Sequence, residues 1–159
     1  MTMSEFTHFD EYGNARMVDV SDKDVTKRMA VATGSIKVSA EVMEAILGKK
    51  VKKGDVLTVA QTAGIMATKR TSDIIPMCHP ISLTGINVTF DVDEAACTIT
   101  AYCSVETEGR TGVEMEALSG TMAALLTIYD MCKAIDRRMV MSDIHLIKKT
   151  GGKSGDFEF

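Results

Sequence analysis

An α+β fold with the order strand, helix, strand, strand, helix, strand is what this sequence predicts. Three observations carry that reading. Between Ile86 and Val105 apolar and polar residues alternate with a period of two. Apolar residues recur at helical spacing on both sides of that stretch. The two prolines of the chain, Pro76 and Pro80, both fall between the first helical region and the alternating one.

Taken in order, residues 1–27 are polar and without sustained period, and read as an N-terminal arm. Arg28 to Ala40 alternates loosely and predicts a first strand. Ser39 is placed to cap a short helix, Glu41–Leu47, which Gly48 ends. A basic loop, Lys49 to Asp55, leads into a helix from Val56 to Arg70 with Val59, Thr62, Ala63 and Met66 on one face. Ile86, Val88, Phe90 and Val92, then Cys97, Ile99, Ala101, Cys103 and Val105, form two strands joined at Asp93–Ala96 as an antiparallel hairpin. Helical patterning resumes from Val113 to Arg137, and Val140 to Ile147 is the last strand. Thr150 to Asp156 is a Gly-rich tail. This order is the split βαβ, ferredoxin-like pattern. It predicts one domain over 1–159, with an arm (1–27), an α+β core (28–149) and a tail (150–159).

Composition narrows the function classes. At 159 residues and 17.2 kDa the chain suits one domain with a real core. A formal net charge of −4 and a pI of about 5.4 argue against non-specific nucleic-acid binding, which needs a basic footprint. Four cysteines without paired C-x-x-C spacing make neither a disulfide scaffold nor a zinc site. The uncharged stretches are too short and too rich in Gly and Thr to span a bilayer, and the N-terminus shows no secretory signal. The expected location is a reducing cytoplasm.

The chemistry-bearing residues gather at a few places. Pro76 and Pro80 bracket Met77-Cys78-His79, so a thiol and an imidazole are presented on a held corner. Ala117 to Tyr129 carries 13 residues without charge, a helix apolar nearly all round. One face is expected on the sheet and the other on a second subunit, with Gly120, Ala123 and Ala124 allowing close approach between helices. Glu114 and Glu116 open this helix, where acidic residues also suit the dipole. Asp130 sits near the C-terminal end, unfavourable for an anion, with Lys133 one turn on. That pair is expected to be buried. Glu116 and Asp130 lie within about 40° around the helix but about 21 Å apart along it, so one small substrate could reach both only across a two-fold pairing of helices. Basic residues, among them Arg28, Lys69, Lys148-Lys149 and Lys153, collect near element ends. Gly151-Gly152-Lys153-Ser154-Gly155 offers amides and an ammonium to a phosphate, without the spacing of a Walker loop. His8 and His145 carry little weight.

These stretches resemble the cyclic pyranopterin monophosphate synthase (MoaC) family of molybdenum cofactor biosynthesis. The matching segments are Ala15–Lys23, Lys53–Val56, Lys69–Pro80, Thr111–Leu118, Leu126–Ala134 and Gly151–Asp156, in order from end to end. The resemblance implies a lyase acting on 3′,8-cyclo-7,8-dihydroguanosine triphosphate, releasing diphosphate and cyclic pyranopterin monophosphate. It implies a homohexamer, a trimer of dimers, with sites at subunit interfaces. It implies no redox cofactor and no resident metal, while leaving room for a divalent ion with the phosphates. By motif match Asp130 is catalytic, Lys133 and Lys53 are essential lysines, and Met77, Cys78, His79, Met115 and Glu116 contact substrate. Glu114, Arg28, Lys69 and Lys153 complete the expected binding set. The competing reading is a non-catalytic oligomeric nucleotide sensor. A metal protein built on Cys78 and His79 has only two adjacent ligands behind it.

Overall fold

The computed structural model describes residues 12–48, 51 and 55–159. The described elements are β1 (Thr26–Lys37), α1 (Ala40–Leu47), α2 (Val56–Thr68), α3 (Thr71–Ile74), β2 (Leu83–Asp93), β3 (Thr98–Gly109), α4 (Glu114–Cys132), β4 (Val140–Thr150) and β5 (Phe157–Glu158). The strands form one sheet in the order β2-β3-β1-β4-β5, with every pairing antiparallel. β1 and β2 therefore run the same way on either side of β3. This is the predicted α+β, ferredoxin-like arrangement.

Registration follows the alternation in the sequence. Val88, Cys103, Ala32 and Leu146 lie in one cross-strand row. That face carries Ala30, Ala32, Ile36, Ile99, Ala101 and Val105, all fully buried, against α2 and α4. Small residues at its centre let α4 settle close: a Cβ on Gly34 would stand 2.8 Å from Ile144 and 2.9 Å from Leu125. Burying side chains such as Ile36, Leu125 and Ile128 is worth roughly 1.5–3 kcal/mol each. The opposite face, with Asn87, Thr89, Tyr102 and Ser104, is polar.

The short helix α1 is capped as expected, Ser39 accepting from the Val42 amide at 3.3 Å and Gly48 closing it. Asp55 caps α2 by accepting from the Thr58 amide at 3.1 Å, a cap that the loop reading of Lys49–Asp55 missed.

Several boundaries differ from expectation. The helix predicted to reach Arg70 ends at Thr68, and a separate turn, α3, follows. Two buried threonines pin the break. The Thr68 hydroxyl donates to Gly64 O at 2.9 Å, and that of Thr71 donates to Thr68 O at 3.1 Å. α4 stops at Cys132, five residues short of Arg137. There Ile135 and Asp136 both donate to Cys132 O, and Asp136 turns to hold Arg138. β1 starts two residues earlier, at Thr26, while β3 and β4 run on to Gly109 and Thr150, because backbone pairing continues after the apolar alternation fades. The tail contains a strand, β5, which was not expected. Gly151 and Gly152 take φ of +86° and +82°, and this reversal returns the chain alongside β4.

Gly120 also takes a different role. With Ala124 it is buried against α2 inside this chain rather than facing outward. A Cβ on Gly64 would stand 3.0 Å from Gly120 O and 3.4 Å from Ala124 Cβ, so these residues form the crossing of α2 and α4. The outward side of α4 is apolar instead through Met115, Met122 and Leu126, which are 40%, 52% and 57% exposed.

Candidate active site

The corner after α3 is a tight turn. The Cys78 amide donates to Ile75 O at 3.0 Å, with Pro76 at the position its fixed φ favours. Beyond it the chain runs extended to β2, leaving Met77, Cys78 and His79 half-buried. The first turn of α4 faces them, anchored where the Thr68 hydroxyl donates to Glu116 O at 3.3 Å. Met77–His79 and Glu114–Glu116 thus line one cavity of about 420 Å³, and Lys23 lines it too.

Two adjoining spaces extend it. One of about 140 Å³ is lined by Lys23, Arg28, Glu114, Lys149 and Ser154. Another of about 460 Å³ is lined by Lys23, Arg28, Gly152, Lys153 and Ser154. Shared walls make the three a continuous groove, with carboxylates toward one end and cations with glycine backbone toward the other. Strand geometry supplies the cations. Arg28 shares the helix-bearing face of β1 with Ala30, and Lys149 pairs across β4 with Ala30 on that same face. Both project past the apolar core at the strand ends. Arg28 is aimed by two carbonyls, donating from Nε to Gly109 O at 3.0 Å and from Nη2 to Arg110 O at 3.3 Å.

The electrostatics differ from residue to residue. Glu116 is 4% exposed, and burial pushes its carboxyl above the ordinary value, opposed by its own backbone amide and reinforced by the charge of Glu114. Glu114 is balanced by Lys149, 3.7 Å away. Burial raises the Cys78 thiol, and the nearby Glu116 charge raises it further, the opposite of an activated thiolate. Asp19 on the arm is held low by the Ser21 amide and hydroxyl, with a smaller contribution from His79.

Asp130 and Lys133 lie at the far end of α4. They form an ion pair of 2.6 Å, but their side chains are 53% and 52% exposed, so within one chain the pair is not buried. The expectation of burial failed because both fall on the outward side of α4, in line with Met122 and Leu126, while Met131 and Cys132 of the same turn are buried in the core. Lys69, the C-cap of α2, is exposed and lines none of the three spaces. Lys53 and His8 lie outside the described residues. The structure therefore brings Met77, Cys78, His79, Glu114, Met115, Glu116, Arg28 and Lys153 to one groove and leaves Asp130 and Lys133 apart. His145 is in β4 as expected, its Nδ1 2.7 Å from Asp143 O and its ring against Phe159.

Lys23 and Lys149 are groove residues that the expected site set did not include. The signal for Lys149 was its parity: it falls on the core-facing side of a strand, where an unpaired lysine is costly. Lys23 had no such signal, since only the folding of the arm brings it here. Among the described residues no three His, Cys, Asp or Glu side chains gather to hold a metal, and no helix is long and apolar enough to cross a membrane.

Comparison with known proteins agrees along the whole chain. The profile of the MoaC family matches residues 17–152. A cyclic pyranopterin monophosphate synthase of Halalkalibacterium halodurans is 56% identical over 158 residues, covering 98% of this chain and 96% of the relative. One from Clostridium perfringens is 55% identical over 156 residues, covering 98% and 99%. One from a Thermoanaerobacter species is 60% identical over 152 residues, covering 96% of each.

Proposed function

The chain belongs to the MoaC family, and on that premise we propose that it converts 3′,8-cyclo-7,8-dihydroguanosine 5′-triphosphate to cyclic pyranopterin monophosphate and diphosphate in molybdenum cofactor biosynthesis. The observation that carries the proposal is the groove, a carboxylate end beside a cationic, glycine-lined end, in a chain that matches synthases of that reaction from end to end. A guanine-like ring edge presents N–H donors, which Glu114 and Glu116 accept. The protonated form of Glu116, favoured by burial, can also donate to a ring carbonyl. A triphosphate needs cations and amides, which Lys23, Arg28, Lys153 and the Gly-rich turn supply.

The reaction opens the purine-derived ring with water, recloses it on the sugar-derived carbons and forms a cyclic phosphate with loss of diphosphate. These steps move protons and displace diphosphate from the α-phosphorus by breaking a phosphoanhydride bond, without net oxidation, so no redox cofactor is required. A divalent ion accompanying the phosphates would add to their neutralisation. Asp130 and Lys133 are assigned as a coupled acid/base pair, Lys53 as a second proton or charge donor, and Met77, Cys78 and His79 as the wall that shapes the ring site. Lys69 is kept in the binding set on its motif position alone.

About 21 Å along the helix separates Glu116 from Asp130. A site using both is therefore built from two chains, with α4 of one crossing α4 of its partner through the exposed Met115, Met122 and Leu126 face. The assembly proposed is a homohexamer, a trimer of such dimers. Cys78, Cys97 and Cys103 are thiols outside any disulfide, which suits a reducing cytoplasm.

Incubating the purified protein with the cyclic GTP-derived triphosphate tests the reading. Release of diphosphate together with cyclic pyranopterin monophosphate is expected. Tight binding with the triphosphate unchanged would favour a nucleotide sensor and sink the enzyme reading.

A further inference from the structure

Lys149 lines the middle one of the three spaces, between Arg28 and Glu114. Its side chain is 19% exposed, and its ammonium lies 3.7 Å from Glu114 Oε1 in the first turn of α4. The same ammonium donates to Ser154 Oγ in the turn that follows β4. Within that turn, Gly151 N donates to Asp156 Oδ1 at 3.0 Å, and Gly155 N donates to Gly152 O at 3.3 Å. Gly152 lies flat on Arg28, so close that a Cβ there would overlap the guanidinium. The turn is thus the roof over Arg28, and Lys149 is the side chain that fastens the roof to α4.

From this geometry we propose that Lys149 is a positioning residue: it ties the start of α4 to the Gly-rich turn and so fixes the spacing between the carboxylate end of the groove and its anion-binding end. The inference rests on the proposed reading of the groove, since that spacing matters only if one ligand spans both ends. A second consequence follows from charge. With Lys149 removed, Glu114 loses its counter-ion beside a buried carboxyl at Glu116, and the turn loses this link to α4. The ring end and the phosphate end then move independently, which weakens the binding of a ligand that needs both.

The test uses the intact assembled protein and two kinds of readout. Without ligand, trypsin should cleave after the exposed Lys153 about fivefold or more faster in Lys149→Met than in the parent, because local opening no longer breaks a charge-assisted contact. Ser154→Ala should speed the same cut, and combining it with Lys149→Met should add little. Lys149→Arg, which keeps the charge and can reach both partners, should restore protection. With the cyclic triphosphate as substrate, Lys149→Met should raise KM roughly tenfold while changing kcat less than about threefold. Unchanged cleavage at Lys153 in Lys149→Met would overturn the tether, whatever the kinetics. Faster cleavage with unaltered KM would overturn the link to binding. If the parent fails to turn over the triphosphate, the functional reading fails, and the cleavage experiment still decides the tether.

Discussion

Glu116 shows how one side chain reports on its surroundings. A carboxyl whose folded pKa lies above its ordinary 4.5 binds its proton more tightly in the folded than in the unfolded state. Its ionisation therefore costs stability. The cost is absent below the unfolded value and complete once pH passes the raised folded value. Glu116→Gln cannot ionise, so it is expected to gain stability relative to the parent as pH rises through that window. Urea unfolding at about pH 4 and about pH 7 measures this; a difference independent of pH would contradict burial as the cause. Cys78 carries the opposite lesson for reactivity. With its thiol pushed up by burial and by Glu116, Cys78→Ser is expected to retain measurable turnover, and a covalent adduct trapped on the wild-type thiol would refute that. For the pair at the other end of α4, Asp130→Asn and Lys133→Ala are each expected to lower turnover by about a hundredfold or more without loss of assembly. Near-normal rates in either would remove it from the chemistry.

At the scale of elements, the close crossing of α2 and α4 sets where the first turn of α4 stands relative to the Met77–His79 corner. Gly120 makes this crossing possible, because a Cβ there would overlap Thr68 Oγ1 and Cys103 Sγ. Thr68 is also the residue whose hydroxyl holds Glu116 O, so crowding at Gly120 pushes directly on the site. Gly120→Ala is expected to destabilise the fold by about 1–3 kcal/mol, the usual size of overpacking in a dense core. Denaturant unfolding checks it, and a stabilised variant would show that the crossing has slack.

At the scale of the whole molecule, the described part of one chain leaves Met115, Met122 and Leu126 on α4, with Val59 and Met66 on α2, exposed beside a pair of charges that lies far from the groove. A partner chain answers both features at once. Leu126→Glu should yield smaller species in sedimentation and should lose turnover with assembly; intact assembly with this change would place the interface elsewhere. Mixing Lys53→Ala chains with Asp130→Asn chains should restore part of the activity, because each mixed dimer can form one site with both residues intact. No recovery would mean that the two residues come from the same subunit.

The sequence by itself determined the order of the main elements and marked the candidate site residues. The period of two in β2 and β3, the Ser39 and Gly48 caps, and the Pro76–Pro80 corner are local constraints, and local constraints are written in neighbouring residues. Tertiary structure decided what depends on contacts between distant segments. Gly120 was equally suited to an interface between chains or a crossing within one, and only the position of α2 settled it. The strand β5 required the chain to reverse at two glycines and find an open edge of β4. Lys23 and Lys149 became groove residues through a folded arm and a strand end that bring them against α4, 91 and 35 positions from Glu114 in sequence. Hydrophobic periodicity records which side of an element is buried, but not what lies across from it, and a site made of four segments is a statement about what lies across.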